Sequence, residues 1–147
     1  MLTKKCPIHY RLLHEVFDLL AAMVKDMPNE WRDCQLVLDE MALQAGERFC
    51  NSLKKWVGKV TLPTHTGIAT KGLVILLAGM RKRWTISVAV YFSNKRSEVK
   101  AQKNKNLTGD AYSEIIDSVI AKAHSVRANV VGVTSDMGAD NLAFWNS

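Results

Sequence analysis

Cysteine is scarce in this chain of 147 residues, and the three present, Cys6, Cys34 and Cys50, are odd in number and widely spaced. That excludes a disulfide-built scaffold and offers no paired thiols for a zinc knuckle. The four histidines, His9, His14, His65 and His124, are scattered without an HExxH pattern. No apolar run reaches the roughly 18–20 residues that a membrane span needs, so no membrane partner is expected. The start of the chain lacks the apolar core of a signal peptide, and a reducing compartment is the expected setting. No GxSxG elbow supports a hydrolase triad built on Asp39, His65 and a serine. The glycines around GIATKG are not in Walker A order, so Lys71 reads as a surface charge rather than a phosphate-loop lysine.

What is present suits one globular domain: 48% of the residues are hydrophobic. Charge is uneven. Residues 43–105 carry 13 basic and 2 acidic side chains, a net of +11, whereas residues 1–42 carry a net of −2 and residues 106–147 a net of −3. A positive middle attracts polyanions, and nucleic acid is the expected partner. The competing reading is a solvated, lysine-rich surface that confers solubility.

Helical spacing over 8–25 sets Leu12, Val16, Leu19, Leu20 and Met23 on one stripe. CQLVLDEMAL at 34–43 is apolar on both faces, as a strand covered on both sides requires. VGKVTL reads as a second strand ending at Pro63, GLVILLAGM at 72–80 as a third and TISVAVYF at 85–92 as its continuation or partner. MRKRW between them is either a turn or a bulge in one long ribbon. The polar, basic stretch 93–109 predicts a loop. Thr108 caps the helix that follows, in which Ile115, Ile116, Val119, Ile120 and Ala123 share a face. VVGVTSD is a short buried strand, and MGADNLAFWNS begins another helix. The crossover from 108 to 129 is long enough for a parallel connection. The fold class expected is α/β: a mixed sheet flanked by helices, incomplete on its C-terminal side. The expected division is an N-terminal helical segment, 1–33, and a sheet-bearing domain, 34–147.

Two acids stand at strand ends. Side chains alternate along a strand, so Asp39 points with Val37 and Met41 while Glu40 points the other way. Asp136 ends the last apolar strand, and ligands gather beyond the carboxyl ends of strands in α/β sheets. If the two strands are adjacent and parallel, Asp39 and Asp136 face each other in a half-buried crevice. Their mutual repulsion is relieved by a divalent cation, and hard oxygen donors suit Mg2+ or Mn2+. A third acid would complete a pair of ions for phosphodiester chemistry. The competing reading for each acid is a helix cap or a solvated side chain; Asp140 reads as a cap and Glu40 as structural, supporting Asp39 from behind. Trp31, Trp56, Trp84 and Trp145 read as core or edge packing. Trp84, inside RKRW, is also placed to stack on a base.

LVLDEMAL, GLVILLAGMRKRWTISVAVYFS and VVGVTSDMGADNLAFW together resemble the catalytic domain of P-element-type transposases and the THAP-domain proteins derived from them. The resemblance implies an RNase H-like fold over 34–147, with the first catalytic aspartate at Asp39, the second at Asp136 and a supporting asparagine at Asn141. It implies Mg2+ or Mn2+ at the two aspartates, DNA as partner, cleavage and strand transfer in the intact enzyme, and work in the nucleus. Phosphates would be positioned by Lys54, Lys55, Lys59, Arg81, Lys82, Arg83, Lys95 and Arg96. The family's third acid lies far downstream, beyond Ser147, and its zinc-bearing DNA-binding domain lies upstream. The expectation is therefore a fragment or domesticated remnant of a transposase nuclease domain, with weak metal binding and little cleavage. The alternative is a non-catalytic module that binds nucleic acid or protein, the latter or a second copy pairing at an exposed sheet edge.

Overall fold

A computed structural model of the chain describes residues 11–63, 65–94 and 107–136, with side chains in the last segment from 111 onward. Its centre is β1 (Asp33–Ala42), and it alternates. Cys34, Leu36 and Leu38 are buried, whereas Gln35 and Val37 are half-buried and Asp39 is exposed. The same rule orders β4 (Lys71–Gly79), where Leu73, Ile75 and Leu77 are buried. The two strands run antiparallel with Leu36 opposite Leu77, Leu38 opposite Ile75 and Glu40 opposite Leu73, so the buried residues share one face. β5 (Thr85–Ser93) pairs antiparallel with β4, and β6 (Asn129–Ser135) pairs parallel with β1. The strand order is β5-β4-β1-β6.

Two helices supply the core over that face. In α1 (His14–Lys25) Phe17, Leu20 and Val24 are buried at helical spacing. In α2 (Leu107–Ser125) the residues are Tyr112, Ile115, Ile116, Val119 and Ala123. All join one cluster with Leu36, Leu38, Leu73, Ile75 and Leu77. α2 is the crossover that returns the chain to β6 parallel to β1. The architecture is the RNase H-like mixed sheet with flanking helices that the sequence predicts. On the other face Val37, Val74 and Leu76 are half-buried.

Several local expectations change. The first helix starts at His14, because residues 11–13 pair instead with the edge of β5: Leu13 N–H donates to Val88 O at 2.8 Å and Val90 N–H to Arg11 O at 3.1 Å. A sheet edge with open backbone groups competes successfully with an uncapped first turn. Phe17 rather than Leu19 then faces the core, and Leu19 is 63% exposed. VGKVTL is not a sheet strand. Its first residue, Val57, ends a separate hairpin, β2 (Arg48–Cys50) and β3 (Lys55–Val57); beyond it Lys59 makes an isolated bridge to Ile68, Thr61 and Leu62 N–H donate to Phe92 O, and Thr61 Oγ1 accepts from Phe92 N–H. MRKRW is a turn, closed by Gly79 N–H to Trp84 O at 2.9 Å, and an irregularity also interrupts the ribbon at Ile75/Leu76. α2 begins at Leu107, so Thr108 lies inside its first turn rather than ahead of it. The expected C-terminal helix, Asp140 and Trp145 lie outside the described residues, as does most of the 93–109 loop.

Candidate metal and nucleic-acid site

The parallel register of β1 and β6 pairs Val37 with Thr134 and Leu38 with Ser135. The paired register ends there: Asp39 is the next residue of β1, and Asp136 is the first residue past β6. Gln35 donates a side-chain hydrogen bond to Thr134 Oγ1, which fixes Thr134 on the Gln35 face, and alternation along β1 carries Asp39 to that face. Both aspartates are exposed rather than half-buried. They stand at the carboxyl ends of adjacent parallel strands, the position at which ligands collect in such sheets. Carboxylate oxygens are the hard donors that suit a divalent cation. Among the described residues no group of three or more His, Cys, Asp or Glu comes together.

Glu40 points to the opposite, core-side face. Its side chain is only 9% exposed. Oε1 accepts a 2.7 Å hydrogen bond from the Tyr112 hydroxyl on α2, and Oε2 pairs with Lys71 Nζ at 3.3 Å. A charge so placed needs both partners, since an unpaired buried carboxylate is costly. Lys71 is thus a half-buried partner of Glu40, not the surface charge the sequence predicts. The link was not legible, because Lys71 stands 31 residues and Tyr112 72 residues from Glu40.

The predicted basic residues divide into two groups. Lys54, Lys55 and Lys59 belong to the β2–β3 excursion that leaves the carboxyl end of β1, on the Asp39 side. All three are exposed, and Lys59 pairs with Glu47 at 3.4 Å. Arg81, Lys82 and Arg83 lie in the β4–β5 turn. Because Gly79 pairs with Cys34 and Val74 with Asp39, that turn sits about 17 Å away along the strand, at the amino end of β1. There Arg81 pairs with Glu30 at 3.6 Å and Lys82 lies 4.8 Å from the Trp31 ring centre. A cleft of about 450 Å³ lined by Glu30, Arg32, Asp33, Arg127 and Asn129 opens at this end, away from the two aspartates. Lys95, Arg96 and Asn141 lie outside the described residues.

Trp84 packs at the edge, its indole donating to Trp31 O at 3.4 Å. Trp56 departs from the packing expected of it: it is 67% exposed. The lysines beside it in the sequence were the available signal.

A four-stranded mixed sheet with a parallel β1/β6 pair, a helical crossover between them and an acid at each strand end defines an RNase H-like domain. The family model for the TNP-like, RNase H N-terminal domain matches residues 8–147, and the chain belongs to that family. No curated protein matches the chain in sequence. Among solved structures it is similar to the Drosophila P element transposase in its strand transfer complex, with 19% identity and a TM-score of 0.68. That likeness covers 96% of this chain and 26% of the other, so the chain spans about a quarter of that protein's length. No helix among the described residues is long and apolar enough to cross a membrane.

Proposed function

We propose that the domain is a fragment or domesticated remnant of a DNA-transposase nuclease domain, acting in the nucleus with Mg2+ or Mn2+ held by Asp39 and Asp136. The observation that supports this reading is that β1 and β6 pair in parallel up to Leu38 and Ser135, the residues that immediately precede Asp39 and Asp136. Two carboxylates brought to one ion-binding site repel, and a shared cation relieves the repulsion. When bound, such an ion polarises a phosphoryl oxygen as a Lewis acid.

The chain's own residues supply the rest. Asp39 and Asp136 offer the oxygen donors. Glu40, tied to Tyr112 and Lys71, pins the strand end that carries Asp39. Lys54, Lys55 and Lys59 present positive charge to phosphates at the same end, and such contacts position nucleic acid without reading its sequence. Arg81, Lys82 and Arg83 extend the basic surface at the far end.

Calorimetric titration with MnCl2 tests the site. The wild type should show weak, saturable binding, and Asp39→Asn and Asp136→Asn should each abolish most of the heat. Isotherms identical to wild type would overturn the metal assignment. DNA binding that persists in both variants while the manganese signal never appears in any of them favours the non-catalytic interaction module.

A further inference from the structure

The β2–β3 hairpin exposes an aromatic pair. Phe49 stands opposite Trp56 in the register, so both side chains share one face of the hairpin. Their ring centres are 5.8 Å apart at 72°, an edge-to-face contact. Phe49 braces the indole and leaves most of it in solvent: the two are 47% and 67% exposed. Neither ring belongs to the buried core cluster, and an exposed aromatic surface of this kind is a candidate binding site.

Its surroundings are cationic. Arg48, Lys54, Lys55 and Lys59 fall within residues 48–59, and the nearby Glu47 is paired with Lys59. Both legs are anchored at the carboxylate end of the sheet: Leu43 N–H donates to Thr70 O and Ala69 N–H to Gly58 O, each at 2.8 Å. Leu43 follows Asp39 by four residues. Strand alternation puts Arg48 and Lys55 on the opposite face of the hairpin from the rings, and Lys54 stands in the turn between its strands. An exposed aromatic pair on a basic hairpin has the chemistry of single-strand recognition, in which bases stack and cations take the phosphates. A protein partner fits less well, since lysine is depleted at the core of protein interfaces. A blunt duplex fits less well too, because its base faces are already stacked.

We infer that the 48–57 hairpin is a stacking platform for unpaired DNA bases, with Trp56 as the principal contact, beside Asp39 and Asp136. The inference deepens the reading of the domain as DNA-acting and rests on it. Fluorescence anisotropy with a blunt duplex and with the same duplex carrying a single-stranded tail separates the two. The wild type should prefer the tailed DNA. Trp56→Ala should weaken binding to the tailed DNA about tenfold and leave the blunt duplex unchanged, while Trp56→Phe should keep most of the preference. Thermal unfolding should match wild type for both variants, as the side chain is exposed. If the wild type shows no preference, or Trp56→Ala keeps it or weakens both DNAs equally, the platform is overturned while the DNA reading stands. If no DNA binds at low salt, the DNA reading itself fails and the platform with it. If light scattering shows that Trp56→Ala converts a dimer to a monomer with DNA affinities unchanged, the pair is an interface between copies and the inference is overturned.

Discussion

The Tyr112 hydroxyl donates a 2.7 Å hydrogen bond to Glu40 Oε1, tying α2 to the strand end that bears Asp39. Lys71 holds the other carboxylate oxygen from β4. One side chain therefore clamps a helix and two strands behind the candidate site. Tyr112→Phe should cost about 2 kcal/mol, the worth of a hydrogen bond to a charged group. For a domain of this size that is a fall of roughly 4–8 °C in Tm, read by circular dichroism. Lys71→Met should destabilise as well, and the Glu40→Gln, Lys71→Met pair should be less than additive.

The two basic groups should separate in salt titrations of duplex binding. Reversing Lys54, Lys55 and Lys59 to glutamate should weaken binding and flatten the salt dependence by about 0.9 in the log–log slope for each phosphate no longer neutralised. Reversing Arg81, Lys82 and Arg83 should reduce binding independently, because the two groups lie at opposite ends of β1. A triple reversal that leaves affinity and slope unchanged would remove that group from the DNA surface.

The two described thiols should react very differently. Burial, reinforced by the negative charge of Asp33, pushes the Cys34 thiol up to about 11. The exposed Cys50 thiol is held below its ordinary value, chiefly by its hydrogen bond with Ser52. At pH 8 iodoacetamide should label Cys50 first and leave Cys34 unmodified until the fold opens, as mass spectrometry of the peptides will report. The same shift makes folding sensitive to alkali. Cys34 keeps its proton longer when folded than when unfolded, so its contribution is full below about pH 9 and is lost as pH rises through about 11. Cys34→Ala should remove that part of the alkaline loss in denaturant titrations at pH 8 and pH 10.5.

Gly79 closes the β4–β5 turn where no side chain fits. A Cβ there would run into the Lys82 carbonyl and the Trp84 indole. Gly79→Ala should cost about 1–3 kcal/mol through overpacking and displace Trp84, which tryptophan emission and thermal unfolding will show together.

Local pattern in the sequence was enough to identify β1, β4, β5, β6 and the crossover helix. Apolar runs and the 3.6-residue period encode which residues leave water, and strand alternation sends Asp39 and Glu40 to opposite faces. The RNase H-like class and the two strand-end aspartates follow from that pattern and from the family resemblance. Tertiary structure decided what local pattern does not carry. Register across β1 and β6 pairs Leu38 with Ser135, the residues that immediately precede Asp39 and Asp136. Pairing with β5 converts residues 11–13 from helix to sheet edge and turns Phe17 inward in place of Leu19. Antiparallel pairing of β1 with β4 sends Arg81–Arg83 to the end away from the acids, and the partners of Glu40 come from β4 and α2. Each of these depends on contacts between segments distant in sequence, where hydrogen-bond pairing and burial are satisfied only once the whole sheet has assembled.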